Sequence, residues 1–303
     1  MKKILVLVDA IGKKKELFTE GIGRGLPEGY SVSLVRFSDL SFHIDGKKIS
    51  IKVDGINEEI TNFGLIYFRR VGTRFFSLAG TLAICLDSLN IRFFDTTFRH
   101  VGPDEDKFTN LTRLSLAGLP VMPTFFCWHN KIEEKEKEIM AKFGLPLIAK
   151  QLSSHRGKGV YLIKRQEDFK LLAKDFPDGE FLFQKFYEND EEYRILVLGG
   201  TIGAFEKKIR TDPNEFRSNV ALGAREEFVN IKKIPQEMKK IAIEAARVLN
   251  IEVAGVDILV DKKGRNWLLE VNRGPGLTYD SKVSPELSGL ASFFTRELRK
   301  IND

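Results

Sequence analysis

From Lys3 the chain reads ILVLV, a polar helix-like stretch, YSVSLVRF, FGLIYFRRVG, a helical LAGTLAICLDSL and IRFFD, so short apolar runs alternate with helical segments. That alternation predicts βαβ units around a parallel sheet. SFHIDGKKISIKVDG interrupts it and reads as an insertion. Ligands usually bind outside the carboxyl ends of such strands. The loop after LIYFRR, with Arg69, Arg70, Gly72 and Arg74, is therefore either an anion site or a solvated surface loop.

The character changes from Pro103, and a boundary falls within residues 97 to 102. DEDKFTNLTRLSLAGLPVMPTFF predicts an amphipathic helix ending at Gly118 and then an extended segment bracketed by prolines. KIEEKEKEIMAKFG predicts a charged surface helix closed by Gly144. Strands PLIAKQL and GVYLIKR, a helix through DFKLLAKDF, and strands FLFQKFY, YRILVLGG and TIGAFEKKIR follow. The last third predicts a long helix, IPQEMKKIAIEAARVLN, a hairpin, VAGVDILVDKKGRNWLLEVN, and a final helix, ELSGLASFFTRELRK.

Composition narrows the setting. With 303 residues, 43% hydrophobic and 30% charged, the chain is long enough for about two domains and has no apolar run near the roughly 18 residues a membrane span needs. Asp9 interrupts the first apolar stretch, which reads as a strand and not as a signal peptide. The two cysteines, Cys85 and Cys127, form no CxxC pair and suit a reducing cytoplasm. Net charge is +6, but no basic run concentrates it, which argues against nucleic acid as a partner.

Two constellations can carry chemistry. In PLIAKQLSSHRGKGVYLI, Lys150 ends one apolar run, and a Ser- and Gly-rich turn with His155, Arg156 and Lys158 leads to the next. Backbone N–H groups and positive charge in such a turn can cradle a phosphate, although most glycine turns are only turns. In VAGVDILVDKKGRNWLLEVNRGPGL, Glu270 and Asn272 lie two apart on a strand and share a face. An even-numbered turn places Asp257 on that face, diagonal to Glu270; a three-residue turn reverses it unless a bulge intervenes. Two carboxylates and an amide oxygen suit Mg²⁺ and not zinc, and the four histidines show no zinc spacing.

Lys107 in DEDK, Lys150 with SSHRGKGV, QKFY at 184–187, YRILVLGG, EFRSNV at 215–220, GVDIL and EVNRGPGL together resemble the ordered motifs of ATP-grasp ligases over about residues 103 to 280. FRSN makes the likeness strongest to the RimK-type branch, amino-acid ligases that include enzymes adding glutamate to protein tails. The resemblance implies an α/β fold in three parts: a Rossmann-like pre-ATP-grasp substrate domain over 1–100, a small lid lobe over 101–185, and a C-terminal lobe with the metal site over 186–303.

The same resemblance implies ATP and two Mg²⁺ ions, with Mn²⁺ able to substitute. Lys107 and Lys150 would hold ATP phosphates beneath a loop containing Ser153, Ser154, Gly157 and Gly159. Gln184, Lys185 and Phe186 would meet adenine, and Glu192 the ribose, although the linker after QKFY is shorter than in the family. Asp257, Glu270 and Asn272 would hold metal, while Arg194, Arg217 and Asn219 would act on phosphate or the acyl intermediate. The arginine that precedes FRSN in the family falls on Arg210 only if the TDPNE loop is one residue short; Lys208 is the alternative.

ATP would phosphorylate a carboxylate and an amine would displace phosphate, giving an amide and ADP. The implied partners are a small-molecule or acidic peptide carboxylate and an amino-acid amine such as glutamate, with Arg69, Arg70, Arg74 and Arg273 matched to an acidic group. Arg273 and Gly274 replace two small polar residues usual in the family, which bears on substrate identity. A kinase-type phosphoryl transferase and a non-catalytic nucleotide-binding protein are the alternatives, and homo-oligomerisation is left open.

Overall fold

The first apolar run does form an inner strand. The computed structural model describes residues 2–45, 48–99, 107–127, 132–152, 159–176, 181–212, 215–217 and 223–300. Its first part comprises β1 (Lys2–Val8), α1 (Lys13–Gly25), β2 (Tyr30–Arg36), β3 (Leu40–Asp45), β4 (Lys48–Val53), β5 (Glu58–Glu59), β6 (Leu65–Arg70), α2 (Phe76–Ser88) and β7 (Phe93–Phe94). Strands β2-β1-β6-β7 make a parallel sheet in that order. Ile4, Val6 and Val8 pack on α1, whereas Leu5 and Leu7 pack on α2 from the other face. Burial on both faces explains why this strand reads as a continuous apolar run. The insertion is a separate antiparallel sheet, β3-β4-β5.

The second sheet takes α4 (Ile132–Phe143), α5 (Glu167–Asp175) and strands β8 (Thr124–Cys127), β9 (Leu147–Gln151), β10 (Val160–Ile163) and β11 (Phe181–Lys185), in the antiparallel order β10-β9-β11-β8. Ile132, Ile139, Phe169 and Leu172 of the two helices cover it. The third sheet is antiparallel β14-β13-β12-β15-β16, built from β12 (Asn189–Leu198), β13 (Thr201–Ile209), β14 (Arg225–Phe228), β15 (Val253–Asp261) and β16 (Asn266–Asn272). Strands β12 and β13 join through Gly199 and Gly200, both at positive φ, the backbone of a tight two-residue hairpin that only glycine enters freely.

Each face of the third sheet has its own covering. Ile195, Val197, Phe205, Val256 and Ile258 pack on α6 (Gln236–Val248). On the opposite face Leu196, Leu198, Ala204 and Val253 meet Leu287, Leu290, Phe293 and Phe294 of α7 (Glu286–Arg299). The same cluster takes in Ile4, Val6, Leu65 and Tyr67 of the first sheet, so α7 is a wedge joining the first and third sheets. Residues 107–121 contact two sheets: Phe108 stacks on Phe126 of β8, while Leu114, Leu119 and Val121 join the core of the third sheet. Leu114 of α3 (Lys107–Leu116) enters the α6 core, and Val121 bridges to Leu268.

Candidate active site

Only half of the α7-facing side of the third sheet is apolar. Farther along the same strands, directly opposed residues form a charged row: Glu206 on β13, Arg194 on β12, Asp257 on β15 and Glu270 on β16. Lys208 and Glu192 pair in the row beside it, and Asn272 opposes Gly255 two residues from Asp257. This arrangement depends on one irregularity. Pairing runs Val260 to Asn266, Leu259 to Trp267 and Ile258 to Leu268, and unbroken it would set Asp257 against Leu269 on the wrong face. A bulge skips Leu269 and restores Asp257 to Glu270, the case the sequence left conditional on an odd turn with a bulge.

Asp257 is 5% exposed and heavily bonded. Arg194 donates to both carboxylate oxygens, Nε to Oδ1 and Nη2 to Oδ2, each at 2.9 Å. Lys208 Nζ donates to Oδ1 at 2.7 Å and lies 3.4 Å from Glu192, while Asn272 Nδ2 donates to Oδ2 at 3.1 Å. Burial alone would raise the Asp257 carboxyl, but Arg194 and Lys208 outweigh it and hold the group at about 2. Burial lowers Lys208, and the Asp257 carboxylate more than offsets that, so it too stays charged. Glu270, by contrast, is exposed.

The second sheet brings its cations to this row. Lys150 is held below its ordinary value by desolvation, and it lies close enough to feel Glu270, Glu192, Lys107 and Asp257. Lys107, at the start of α3, donates to Leu152 O at 3.1 Å and ties that helix to the exit of β9, where the cradle loop begins. Gly159 accepts from Gln151 N where the loop returns. Ser153, Ser154 and Gly157 lie outside the described residues, as does Asn219. At the other end of this sheet Gln184 is buried and donates to Thr124 Oγ1 at 2.7 Å. Lys185 ends β11, Phe186 lies edge-on to Phe216, and Tyr187 stacks on Trp267 at 4.9 Å, fastening the linker to β16.

Two groups occupy positions the sequence did not settle. Arg210 lies just past β13, with Nη1 3.3 Å from Phe216 O, whereas Lys208 is at Asp257. Arg217 is held on its own loop by Glu215, Nε to Oε1 at 2.8 Å and Nη2 to Oε2 at 2.7 Å, and Arg217 holds that carboxyl at about 2. Two of the arginines matched to an acidic partner serve packing. Arg69 is 4% exposed, donates to Pro275 O at 2.8 Å and covers the Phe18 ring. Arg273 pairs with buried Asp95 at 3.2 Å and covers Phe98. The side chain of Arg74 lies outside the described residues.

Sequence reasoning missed the acids beside Arg194. Glu206 is 2% exposed, and one carboxylate oxygen has no hydrogen-bond partner. Burial pushes it up to about 8 against the pull of Arg194, and Glu226 and Glu286 add to the push. Glu286, buried at the start of α7, is pushed up to about 7, although Thr278 N and Ser284 Oγ donate to it. Period-two alternation in TIGAFEKKI was the available signal, since it puts Glu206 on the face of Ala204 and Lys208.

An acid with a raised folded value keeps its proton while the unfolded chain releases it, so its stabilising share is whole below the unfolded value near 4.5 and is lost as pH rises toward about 8. Stability measured without nucleotide is therefore expected to fall between about pH 5 and 8, with Glu206 contributing up to about 1.4 kcal/mol per pH unit. Glu206→Gln should flatten that slope in thermal melts across the range. An equal slope in the variant would show that Glu206 is charged throughout.

Among the described residues no group of three or more His, Cys, Asp or Glu side chains is placed to hold a metal ion. The available donors are instead two carboxylates and the amide of Asn272, all oxygen ligands on one face, which fits Mg²⁺. Nor is any helix among the described residues long and apolar enough to cross a membrane.

Comparison with known proteins agrees with this geometry. A RimK-like ATP-grasp domain model matches residues 104–285. A probable alpha-L-glutamate ligase of Cellvibrio japonicus is 28% identical over 250 residues, 81% of this chain and 75% of that protein. One of Coxiella burnetii is 30% identical over 244 residues, 78% of this chain and 73% of that protein. The fold matches the ATP-grasp ligase PsnB complexed with a phosphomimetic variant of its minimal precursor, Mg and ADP, with a TM-score of 0.73 at 16% identity, covering 97% and 98% of the two chains. The charged row, the cationic second sheet and these likenesses converge: the chain belongs to the RimK-like ATP-grasp family and is an ATP-dependent ligase that forms amide bonds.

Proposed function

We propose that this ligase joins an amino acid, glutamate foremost, to a small molecule or an acidic peptide, using ATP with two Mg²⁺ ions that Mn²⁺ can replace. The observation that carries the reading is the meeting of Lys107, Lys150, Arg194 and Lys208 around the Asp257–Glu270 row, where the second and third sheets face one another. Four cations beside two carboxylates and an amide oxygen suit a polyphosphate and its metal. Lys107 and Lys150 take phosphate oxygens. The backbone of Lys185 and Phe186 meets adenine, and Glu192, two residues from Arg194, reaches the ribose.

Lys208, and not Arg210, steadies the transferring phosphoryl group, because its ammonium is already placed at Asp257. Bound at Asp257, Glu270 and Asn272, Mg²⁺ would neutralise phosphate charge. Arg217 and Asn219 hold the acyl phosphate while the amine attacks its carbonyl carbon and phosphate leaves. The amine must arrive without its extra proton. The domain over residues 1–100 presents the acceptor, and the protein works in a reducing compartment, where buried Cys85 remains a thiol.

Incubation with ATP, Mg²⁺ and a panel of amino acids and acidic peptides should release ADP and orthophosphate together with a product one amide bond heavier. Hydroxylamine should trap the acyl phosphate as a hydroxamate. AMP and pyrophosphate would overturn the mechanism, and a stable phosphorylated product without amine would show a kinase.

A further inference from the structure

The parallel sheet runs β2-β1-β6-β7, so the strand order reverses between β1 and β6. In open α/β sheets ligands bind in the crevice outside the carboxyl ends at that switch point. Here the crevice lies between Asp9–Gly12 and the loop that begins at Val71. The loops approach closely: Gly72 has φ +67°, and a Cβ on it would stand 3.2 Å from Asp9 Cβ. Asp9 is paired with Lys15, so the crevice has no unbalanced negative charge to repel a carboxylate.

Arg70 is the last residue of β6 and is exposed. The β1–β6 register skips Arg69, with Leu7 opposite Phe68 and Val8 opposite Arg70, so a bulge re-aims the strand end. Its stem lies against the loop that leaves the metal-ligand strand: a Cβ on Gly274 would be 3.3 Å from Arg70 Cδ and 3.4 Å from its Nε. Gly274 is two residues beyond Asn272. Arg70 thus stands at the seam between the switch-point crevice and the oxygen-ligand row. Arg69 is 4% exposed and Arg273 lies against Asp95 and Phe98, so neither presents its guanidinium at that seam.

The geometry points to Arg70 as the residue that selects an acidic substrate, binding a carboxylate that is not itself activated and presenting the rest of the molecule to the reaction centre. A guanidinium can take that carboxylate through two parallel hydrogen bonds, which an ammonium cannot reproduce. This deepens the ligase reading and rests on it for the reaction, although binding can be tested apart from turnover.

Calorimetry in the presence of ADP and Mg²⁺ should be run with glutamate, glutamine and a peptide ending in Glu-Glu, on wild type, Arg70→Lys and Arg70→Ala. Wild type should bind an acidic ligand and favour it over glutamine, and the arm that binds identifies free amino acid or peptide as the source. Arg70→Ala should weaken acidic binding on the order of 10- to 100-fold, with Arg70→Lys between, while ADP affinity stays constant. Acidic binding equal in all three proteins, or absent from wild type, overturns the inference. Acidic binding that depends on Arg70 in a protein that forms no amide would instead overturn the ligase reading and leave this assignment standing.

Discussion

Glu270→Ala is expected to lower ADP formation at least about a thousandfold while the protein melts where wild type does. The loss follows from the site: Glu270 supplies one of the two carboxylates of the oxygen-ligand set, and a few kcal/mol of charge stabilisation at a transferring phosphoryl group amounts to orders of magnitude in rate. Unaltered stability follows from its surroundings. Glu270 is exposed, so its removal opens no cavity, and Lys150, which feels it, keeps Glu192 and Asp257 nearby. A coupled assay for ADP, read beside a thermal melt, checks both halves. A folded variant with near-normal turnover would remove Glu270 from the metal set, and a large loss of stability would mean that the carboxylate has structural partners.

Much of the fold is legible because its local signals agree. The run ILVLV is apolar throughout because β1 is covered on both faces, and GG between YRILVL and TIGAFE marks a hairpin because two consecutive positive φ angles need glycine. Segments with a split allegiance read less well. LTRLSLAGLP is adjacent in sequence to the second sheet but lies on the third, since Leu114, Leu119 and Val121 find their apolar partners on α6 and β16, and no local pattern encodes that choice. Strand β14 was missed for another reason: its residues, REEF, carry charges at an edge, where the usual strand alternation is weakest.

The same division runs through the site. Residue types and spacing are enough to name Asp257, Glu270 and Asn272, but whether Asp257 shares their face depends on a turn length and a bulge at Leu269, which periodicity alone leaves open. Arginines near a cleft look alike in sequence. Burial and placement separate them: Arg69 is buried against the Pro275 carbonyl and the Phe18 ring, Arg273 pairs with Asp95, and Arg70 is exposed at the end of β6 beside Gly274. Lys208 and Arg210 are likewise two basic residues on one strand end until β13 stops at Ile209, which leaves only Lys208 in register with Glu192.

Asp257→Ala should contrast with Glu270→Ala by destabilising the protein as well as silencing it. Asp257 neutralises two largely buried cations, Arg194 and Lys208, and it also accepts from Asn272. Removing one member of a buried ion pair leaves charge without compensation and costs about 3 to 5 kcal/mol, a drop of about 5 to 8 °C in melting midpoint for a chain of this size. The remaining acids cannot replace it. Glu206 shares the row with Arg194 but, pushed up to about 8, is mostly protonated at neutral pH, and Glu192 already faces Lys208. Asp257→Asn keeps the shape and one acceptor oxygen and should fall between the two. The wild-type linkage has the opposite sign to that of Glu206: a carboxyl held at about 2 stabilises the fold above its ordinary value of 3.8, and that share disappears as pH drops toward 2. Asp257→Ala should therefore lose part of the acid sensitivity that wild type shows in this range. An alanine variant that melts with wild type at neutral pH would mean that Arg194 and Lys208 find other partners, and the charged row would then owe nothing to Asp257.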